Sequence, residues 1–386
     1  MNLISDTSEL AAFCGRIAKS KFITVDTEFM RERTFWPKLC VVQLAGDKDE
    51  AAIDALAEGI DLTPVFDLMA DASILKVFHA GRQDLEIFYH LTGRLPEPIF
   101  DTQIAAMVCG FGDAAGYETL VSKLARVRLD KGARFTDWTA RPLTDRQVKY
   151  ALSDVTHLRK VYEKLQQMLN KNGRVEWMAE ELAVLTSPDT YAQPPEEAFR
   201  RIKTRSNDPK LLAVLREVAA WREREAQRLD LPRNHVLRDE ALVEIAHHTP
   251  LTPTDLARTR GLGRRLAEGP AGADLIEAVR RGMETPEADW PQAIHKPMLP
   301  GGLGPITDLL KVLLKMKCEE SGAAQKLVAS VHDLELIAAF GEEADVPALR
   351  GWRREVFGED ALGLRQGDTA LLIKNRKLRV VPAKKL

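Results

Sequence analysis

The chain has 386 residues, a formal net charge of −2, and 45% hydrophobic against 29% charged residues. This length is greater than one ordinary domain needs and predicts two or three domains. The composition excludes a disordered chain, and the near-neutral total charge excludes a protein that is basic throughout, so any surface that binds nucleic acid must be local.

The four cysteines are far apart and form no C-x-x-C pair. Their spacing argues against a zinc site or a disulfide framework and suits a reducing cytosol. The N-terminal segment MNLISDTSELAAF has no basic region followed by a long apolar run, so we expect no signal peptide. No stretch approaches the ~20 apolar residues of a spanning helix. We therefore expect a cytoplasmic protein without a membrane partner.

The first part of the chain alternates between strand and helix patterns. Strands are predicted at 22–29, at 39–44, in the segment AAIDAL and at 74–78. Helices are predicted at 5–19, 62–69 and about 81–93, and the segments IFDTQIAAMVCG and YETLVSKLARV both have a helical period. Strands followed by interleaved helices predict a mixed α/β sheet layered with helices.

Beyond about Pro142 the pattern predicts helices only. Residues 144–169 form one long predicted helix, and the three prolines of SPDTYAQPPEEAF indicate a linker. A second break, ETPEADWPQAIHKPMLPGGLGP, precedes a last helical unit. The predicted domains are therefore 1–190, a linker at 191–203, 204–285 and 286–386.

Two acidic residues stand at alternate positions of the strand FITVDTEF. Asp26 and Glu28 should point to the same side, because side chains at i and i+2 share a face of a strand. Neighbouring carboxylates repel each other, and burying them unpaired is costly. A hard divalent cation such as Mg²⁺ or Mn²⁺, which prefers oxygen ligands, would stabilise the pair. The alternative is an exposed strand end with two solvated acids.

Two further acids lie on predicted helices. Asp84 follows the strand ILKVF within HAGRQDL, and Asp154 comes four residues after Tyr150. The i, i+4 spacing places Tyr150 and Asp154 on one face of a helix whose apolar residues make it core-facing. A carboxylate beside a buried face needs a partner. A structural hydrogen bond between Tyr150 and Asp154 is the alternative to a catalytic role.

The order of these motifs resembles the DEDD-type 3′→5′ exonucleases of the tyrosine branch. The segments DTEFMRERTFWPKLCVVQLA, HAGRQDLEIF and TDWTARPLTDRQVKYALSDVTHL closely resemble the ribonuclease D family, over about 1–169. LPRNHVLRDEALVEIA and PLTPTDLARTRGLG resemble an HRDC domain, a module known from ribonuclease D and RecQ-type helicases. The resemblance implies an α/β ribonuclease H-like exonuclease domain followed by two all-α HRDC-type domains, the last of them more divergent.

The resemblance also implies a chemistry. Two divalent cations, Mg²⁺ or Mn²⁺, would lie about 3.5–4 Å apart and serve the attacking and leaving sides of a phosphodiester. Asp26 would bridge both ions, Glu28 and Asp154 would complete the site on the attacking side, and Asp84 would hold the second ion. Tyr150 would position the attacking water. Its phenol, with an ordinary pKa near ~10, is poorly suited to act as a base at neutral pH.

The function that the resemblance implies is a metal-dependent exoribonuclease that acts on RNA 3′ ends and releases nucleoside 5′-monophosphates. Its family substrates would be the 3′ trailers of tRNA precursors and other small structured RNAs, and the sequence leaves a monomer possible. One alternative is a DNA exonuclease, because the same four acids serve DNA proofreading. The other is a non-catalytic RNA-binding protein, which the presence of all four acids and of the tyrosine disfavours.

Five further residues have two interpretations each. Phe29 and Met30 can wedge against the terminal base, with core packing as the alternative for Phe29. His79 is a candidate general base or, with more weight, a structural histidine. Arg141 is a candidate phosphate contact or a cap of its turn. Trp138 is expected to anchor its loop rather than to stack on RNA.

Local charge identifies two basic stretches. Residues 200–265 contain 15 Lys and Arg against 9 Asp and Glu, and residues 374–386 contain six basic residues and no acid. Each stretch either contacts a phosphate backbone or is a solvated surface.

Overall fold

The computed structural model describes residues 2–129, 132, 136–292 and 299–383. Its strands are β1 (Leu3–Ile4), β2 (Phe22–Met30), β3 (Lys38–Ala45), β4 (Glu50–Asp54), β5 (Leu75–Phe78), β6 (Ile99–Asp101), β7 (Thr369–Lys374) and β8 (Lys377–Pro382). The helices up to the end of the long central helix are α1 (Thr7–Ile17), α2 (Thr63–Ala70), α3 (Arg82–Thr92), α4 (Thr102–Val108), α5 (Tyr117–Leu120) and α6 (Asp145–Asn172).

Twelve further α-helices follow in the described residues of the later part of the chain. They are α7 (Ala179–Thr186), α8 (Pro209–Leu229), α9 (Arg233–Val236), α10 (Asp239–His248), α11 (Pro253–Leu256), α12 (Arg264–Ala267), α13 (Pro270–Glu284), α14 (Gly304–Ser321), α15 (Gln325–Val328), α16 (Val331–Phe340), α17 (Gly351–Arg353) and α18 (Glu359–Gln366). Within the described residues, no helix combines the length and the apolar character needed to cross a membrane.

The N-terminal part is built on a mixed six-stranded sheet. Its strand order is β1-β4-β3-β2-β5-β6, with β2 antiparallel to β3 and parallel to β5. Strand β2 therefore lies inside the sheet, and its register with β3 shifts between Glu28 and Phe29. The prediction of a mixed sheet layered with helices is confirmed.

Two predictions of helix are wrong. Ile99–Asp101 forms strand β6 instead, because it pairs in parallel with β5 at the edge of the sheet. The chain beyond Pro142 is not helical throughout, since Thr369–Lys374 and Lys377–Pro382 form an antiparallel hairpin. Asn375 and Arg376 have φ values of 52° and 60°. Two consecutive residues in the left-handed region make a tight two-residue hairpin turn.

The long helix α6 carries two of the predicted site residues to the sheet. Thr144 and Gln147 form a capping box at its start, and Gly173, with a φ of 64°, ends it. A stripe of buried residues, including Val155 and Leu158, packs the helix onto the core. The Thr24 hydroxyl of β2 donates a hydrogen bond of 2.8 Å to the Val155 carbonyl. The helix is therefore fixed against the strand that carries the acidic pair.

The second unit has its own core, formed mainly by α8, α10 and α13. It contacts the N-terminal part beside strand β2. The Asp230 carboxylate accepts hydrogen bonds of 3.1 and 3.0 Å from the backbone N–H groups of Phe35 and Trp36, which follow β2. The Arg233 guanidinium lies 4.5 Å from the centre of the Phe35 ring. The predicted linker is ordered at both ends, since Tyr191 is buried in the first core and Phe199 in the second.

The third unit folds back onto the N-terminal part. Trp352 stacks on Trp177 with ring centres 4.2 Å apart, and the Ala324 N–H donates a hydrogen bond of 2.8 Å to the Met107 carbonyl. The guanidinium of Arg353, with a side chain only 4% exposed, pairs with Glu180 and Glu181. These contacts join segments more than 170 residues apart in sequence.

Candidate active site

Strand β2 and helix α6 bring three carboxylates together. Oxygen atoms of Asp26, Glu28 and Asp154 all lie within 4.8 Å of one another. Asp26 and Glu28 are two positions apart on one strand, and Asp154 approaches from the helix packed across it. The expectation that the two strand acids point to the same side agrees with this arrangement.

The electrostatics of this acidic triangle are unfavourable without a cation. Burial, followed by the charge of Asp154 and then of Asp84, raises the pKa of Glu28 to about 8. Burial also raises the pKa of Asp26 well above its ordinary value, and the charges of Asp84, Asp154 and Glu28 add to the effect. A cation in the triangle would favour the ionised forms of these carboxylates.

Asp84 is close to the triangle without being part of it. Its carboxylate is buried and accepts a hydrogen bond from the Thr27 hydroxyl. Burial raises its pKa to about 7, although the hydrogen bond from Thr27 opposes the rise. The charge of Asp84 in turn raises the pKa of Asp26. The structure therefore places all four acids in one region.

The turn that begins α3 fixes the position of Asp84. Asp101, at the end of β6, accepts hydrogen bonds from the N–H groups of Ala80 at 3.2 Å and of Gly81 at 2.8 Å. A Cβ at Gly81 would meet Phe78 Cβ at 2.6 Å, so only glycine fits there. Sequence reasoning missed Asp101 because the segment that contains it was predicted to be helical. The signal that could have identified it was the short apolar run of Ile99 and Phe100, which ends at Asp101, the N-cap residue of the next helix.

Tyr150 lies beside the acidic triangle, on the face of α6 that also carries Asp154. Burial is the main reason why the pKa of the Tyr150 phenol rises above its ordinary value. The pKa is raised further by the charges of Asp154, Glu28 and Asp26, and by a hydrogen bond with Asp154. The phenol therefore stays protonated at neutral pH and can donate a hydrogen bond. The ring of Trp138 is 6.2 Å from that of Tyr150 and is buried, in agreement with its expected role as a loop anchor.

A cleft of about 410 Å³ opens at the triangle. Its lining residues include Asp26, Asp154, Tyr150, His79 and Tyr117. Tyr117 was not predicted as a site residue. Its hydroxyl donates a hydrogen bond of 2.9 Å to the Ser153 carbonyl and so ties α5 to α6. The volume lies within the range of ordinary small-ligand sites, about 300–1,000 Å³.

His79 has the contacts of a structural histidine at the edge of the cleft. Its Nδ1 lies 3.0 Å from the Thr102 hydroxyl, which itself donates a hydrogen bond to the Phe78 carbonyl. The histidine must therefore donate from Nδ1. Burial lowers its pKa, although the charge of Asp101 opposes this effect. The His79 ring is therefore neutral, with its proton on Nδ1.

Phe29 and Met30 are both half-buried. Phe29 packs against the main core of the sheet, and Met30 packs against the smaller cluster that contains Trp138. Both side chains keep some exposed surface next to Glu28. Contact with a terminal base remains a prediction for this pair.

Arg141 is held by protein groups at each of its guanidinium nitrogens. It forms hydrogen bonds of 2.6–2.9 Å with the Asp54 carboxylate and others with the carbonyl groups of Trp138, Ala140 and Cys40. These contacts indicate that Arg141 holds its turn in place. They do not favour a contact between Arg141 and phosphate.

This structural role can be tested by stability. We expect Arg141→Gln to lower the free energy of unfolding by about 2 kcal/mol, because the partly buried Asp54 loses its partner. Denaturant unfolding measures the effect. Asp54→Asn should lower the free energy of unfolding by a similar amount. The double variant should lower it by less than the sum of the two single effects. A variant of normal stability with a raised KM for RNA would support the phosphate contact instead.

The two basic stretches have different environments. In the second unit several arginines are paired, among them Arg222 with Asp239 and Arg233 with Glu223. In the hairpin, Lys374 and Lys377 face each other across the strands and are exposed. The last residues of the basic tail, 384–386, lie outside the described part of the chain.

The donor set of the triangle suits a hard divalent cation. All three groups offer carboxylate oxygen, the ligand preferred by Mg²⁺ and Mn²⁺, and they include no thiolate or imidazole. Their raised pKa values are those expected of carboxylates that lack a counter-charge. The residues therefore fit the metal that the resemblance implies.

Comparisons with known proteins agree with this geometry. A family model described as a 3′-5′ exonuclease matches residues 1–170, and one for the HRDC domain matches residues 212–279. A curated ribonuclease D of Nitrobacter hamburgensis is 52% identical over 381 residues, which is 98% of this chain and 99% of that protein. The chain belongs to the ribonuclease D family. It is a hydrolytic 3′→5′ exoribonuclease with an α/β exonuclease domain and a helical HRDC domain.

Other members of the ribonuclease D family give the same result. A ribonuclease D of Granulibacter bethesdensis is 49% identical over 98% of this chain and 96% of its own length. The crystal structure of Escherichia coli RNase D matches with a TM-score of 0.79 at 31% identity, and covers 94% of this chain and 98% of that one. The fold of this family implies the use of divalent metal, in accord with the acidic triangle.

Proposed function

We propose that this ribonuclease D family member removes nucleotides one at a time from RNA 3′ ends and releases nucleoside 5′-monophosphates. The observation that supports this most directly is the triangle of Asp26, Glu28 and Asp154, of which Asp26 and Asp154 line a cleft together with the neutral phenol of Tyr150. A cleft of this size admits one nucleotide at a time, which suits removal from an end rather than internal cleavage.

Asp26, Glu28, Asp84 and Asp154 would hold two divalent cations, either Mg²⁺ or Mn²⁺. When bound, such ions supply an activated water and stabilise the charge that develops on the leaving 3′ oxygen. Asp84 reaches the site through a carboxylate that Thr27 orients. Burial of these groups strengthens their attraction for a cation, since charges interact more strongly where water is excluded.

Tyr150 would orient the attacking water by donating or sharing a hydrogen bond. Its protonated phenol is suited to this role because burial and three neighbouring carboxylates oppose its ionisation. Phe29 and Met30 would contact the terminal base from the end of β2. His79, with its Nδ1 occupied by Thr102, would contribute to the wall of the cleft.

The tyrosine makes a specific prediction. We expect Tyr150→Phe to lower kcat about a hundredfold with little change in KM, because the ring is kept and only the positioning hydroxyl is lost. Single-turnover kinetics on a short RNA would measure the chemical step. Tyr162→Phe, on the same helix and with its ring in contact with those of Phe22 and Phe100, is the matched control. A normal rate for Tyr150→Phe would remove the tyrosine from the mechanism, and loss of Mn²⁺-induced stabilisation would give it a structural role instead.

The proposed physiological substrates are the 3′ trailers of tRNA precursors and other small structured RNAs. The relative from E. coli is described as an exoribonuclease involved in structured RNA processing. A narrow cleft would admit unpaired nucleotides and exclude a stable stem, so degradation would stop near the mature end. The helical units around the sheet would select RNA by shape.

A time course on a denaturing gel tests this proposal. A 3′-extended tRNA labelled at its 5′ end should shorten in single-nucleotide steps with Mg²⁺ or Mn²⁺, pause near the mature end, and remain intact with EDTA. A matched single-stranded DNA should be degraded more slowly. Equal rates on DNA would favour a DNA exonuclease, and no metal-dependent shortening of any RNA would favour a binding protein.

We also propose the domain boundaries 1–190, 204–285 and 286–386, with a linker at 191–203. Separate hydrophobic cores in the first and second parts support the first boundary. The third part has a core of its own, and its Ala324 and Leu327 also pack into a cluster of the first domain. The third unit, with helices α14 to α18, would be a second and divergent HRDC-like domain that ends in the β7–β8 hairpin. We propose a cytoplasmic monomer.

A further inference from the structure

A second and smaller cavity lies beside the catalytic cleft. It has a volume of about 210 Å³ and is lined by Arg128, Leu129, Gly132, Arg146, Lys149, Tyr150, Ser153 and His157. We call it the basic notch, after Arg128, Arg146 and Lys149. Leu129 and Tyr150 line both the notch and the cleft, so the two cavities adjoin at these residues.

Helix α6 divides its residues between the two cavities. Tyr150 and Asp154 are four residues apart and line the cleft, and Tyr150 also borders the notch. The notch is lined by Lys149, Ser153 and His157, which follow one another at the same four-residue spacing. Residues one position apart on a helix differ by about 100° in direction. The notch is therefore the neighbouring face of the helix that carries the catalytic tyrosine.

The charge of the notch is opposite to that of the cleft. Among the lining residues that the structure describes, three are permanent cations and none is a carboxylate. Within the described residues, neither Arg128 nor Lys149 forms an ion pair, and the Arg146 guanidinium contacts only the Gly132 carbonyl. Arg146 also lies in the first turn of α6, where the helix dipole disfavours cations. An anion in the notch would pair with these cations and would be favoured by the helix dipole.

We propose that the basic notch binds the backbone phosphate immediately upstream of the scissile bond of a single-stranded RNA. The proposal rests on the exoribonuclease activity, with the terminal nucleotide in the cleft. The notch is smaller than the ~300 Å³ of the smallest ordinary ligand pockets, so it suits a segment of a chain rather than a separate molecule. Its cations would offset the repulsion between the RNA and the four carboxylates and would hold the strand in line with the site.

The test compares two double variants on two substrates. Arg128→Gln with Lys149→Gln removes two charges from the notch. Lys164→Gln with Lys171→Gln removes two exposed charges from the far half of the same helix, and so matches the net charge. The substrates are an unstructured RNA of about a dozen nucleotides and a dinucleotide, whose only phosphate is the scissile one.

We expect the notch variant to raise KM for the longer RNA about tenfold with little change in kcat. The slope of log(kcat/KM) against log[salt] should become shallower by about 0.7, the change expected when one phosphate contact to a single strand is lost. The control variant should keep the wild-type slope, and on the dinucleotide the two double variants should agree within about twofold. An equal loss on both substrates, or an equal loss in the control, would overturn the proposal.

A modified substrate locates the contact. A neutral methylphosphonate in place of the upstream phosphate should raise the KM of the wild-type enzyme about tenfold. It should not raise the KM of the notch variant further, because the substrate change and the double substitution remove the same interaction. Additive losses would place the phosphate elsewhere. Failure of the wild-type enzyme to shorten either RNA would instead contradict the exonuclease function, so the two failures are distinguishable.

Discussion

We expect Asp26→Asn to abolish exonuclease activity without unfolding the protein. The substitution keeps the shape of the side chain and removes the charge at the centre of the acidic region. Divalent metal contributes several kcal/mol to such reactions, so a loss of about a thousandfold in kcat/KM is expected. Because burial, and then the charges of three neighbouring carboxylates, raise the pKa of Asp26, the asparagine variant should be as stable as the wild type or more stable without metal.

The measurement combines release of 5′-mononucleotides from a labelled RNA with thermal unfolding in EDTA. Asp67→Asn, an exposed acid on α2 of the same domain, is the matched control and should keep full activity. Retention of wild-type turnover by Asp26→Asn would contradict the metal-site interpretation. An inactive variant with a large loss of stability would mean that Asp26 is needed for the fold, and would leave its role in catalysis to be tested with Asp154→Asn.

The residues of the site were predictable because their chemistry depends on local spacing. Asp26 and Glu28 follow the two-residue period of a strand, and Tyr150 and Asp154 follow the four-residue period of a helix, so each pair is fixed by its own element. Periodicity also predicted the central strands and the long helix. What periodicity could not supply is the crossing of α6 over β2, which brings the two pairs together.

The position of Asp84 illustrates this limit. Its helix was predicted, but its link to Thr27, 57 residues away, was not. The turn that sets the start of the helix depends on Asp101, on another strand. Contacts between distant segments leave no periodic signal in one sequence, so the support around a site is harder to predict than the site itself.

The C-terminal hairpin was missed for a different reason. Its strands are short, and charged residues alternate with apolar ones only over 377–380, at the start of the second strand. Asn375, a residue that favours this type of turn, lies between the strands. A count of charge alone described the segment as a basic tail. The alternation of Leu371 and Ile373 on one strand with Leu378 and Val380 on the other was the signal that could have identified it.

The second large effect concerns stability and pH. The pKa of Glu28 is about 8 in the folded, metal-free protein, against an ordinary value of 4.5 that the unfolded chain should have. Below about pH 4.5 both states are protonated, and Glu28 does not affect stability. Between about pH 4.5 and 8 the unfolded chain loses this proton while the folded protein keeps it, so the free energy of unfolding falls as pH rises. Asp84, with a pKa of about 7, contributes in the same direction.

We therefore expect Glu28→Gln to stabilise the metal-free protein, and to do so more at about pH 8 than at about pH 6. The difference between the two pH values should be on the order of 2 kcal/mol, since one unit of pKa difference corresponds to about 1.4 kcal/mol. Glu163→Gln, an exposed position on α6, is the control and should follow the wild type at both pH values. Thermal unfolding in EDTA over this range would measure the effect.

Metal should reverse the pH dependence. A divalent ion binds the ionised carboxylates, so binding releases protons and becomes stronger as pH rises. The increase in Tm that Mn²⁺ causes should therefore be larger at about pH 8 than at about pH 6 in the wild type, and much smaller in Glu28→Gln at both. An increase in Tm that is independent of pH would mean that the carboxylates are already ionised without metal. It would then follow that the acidic triangle is open to water, and that its affinity for metal arises from geometry rather than from stored charge repulsion.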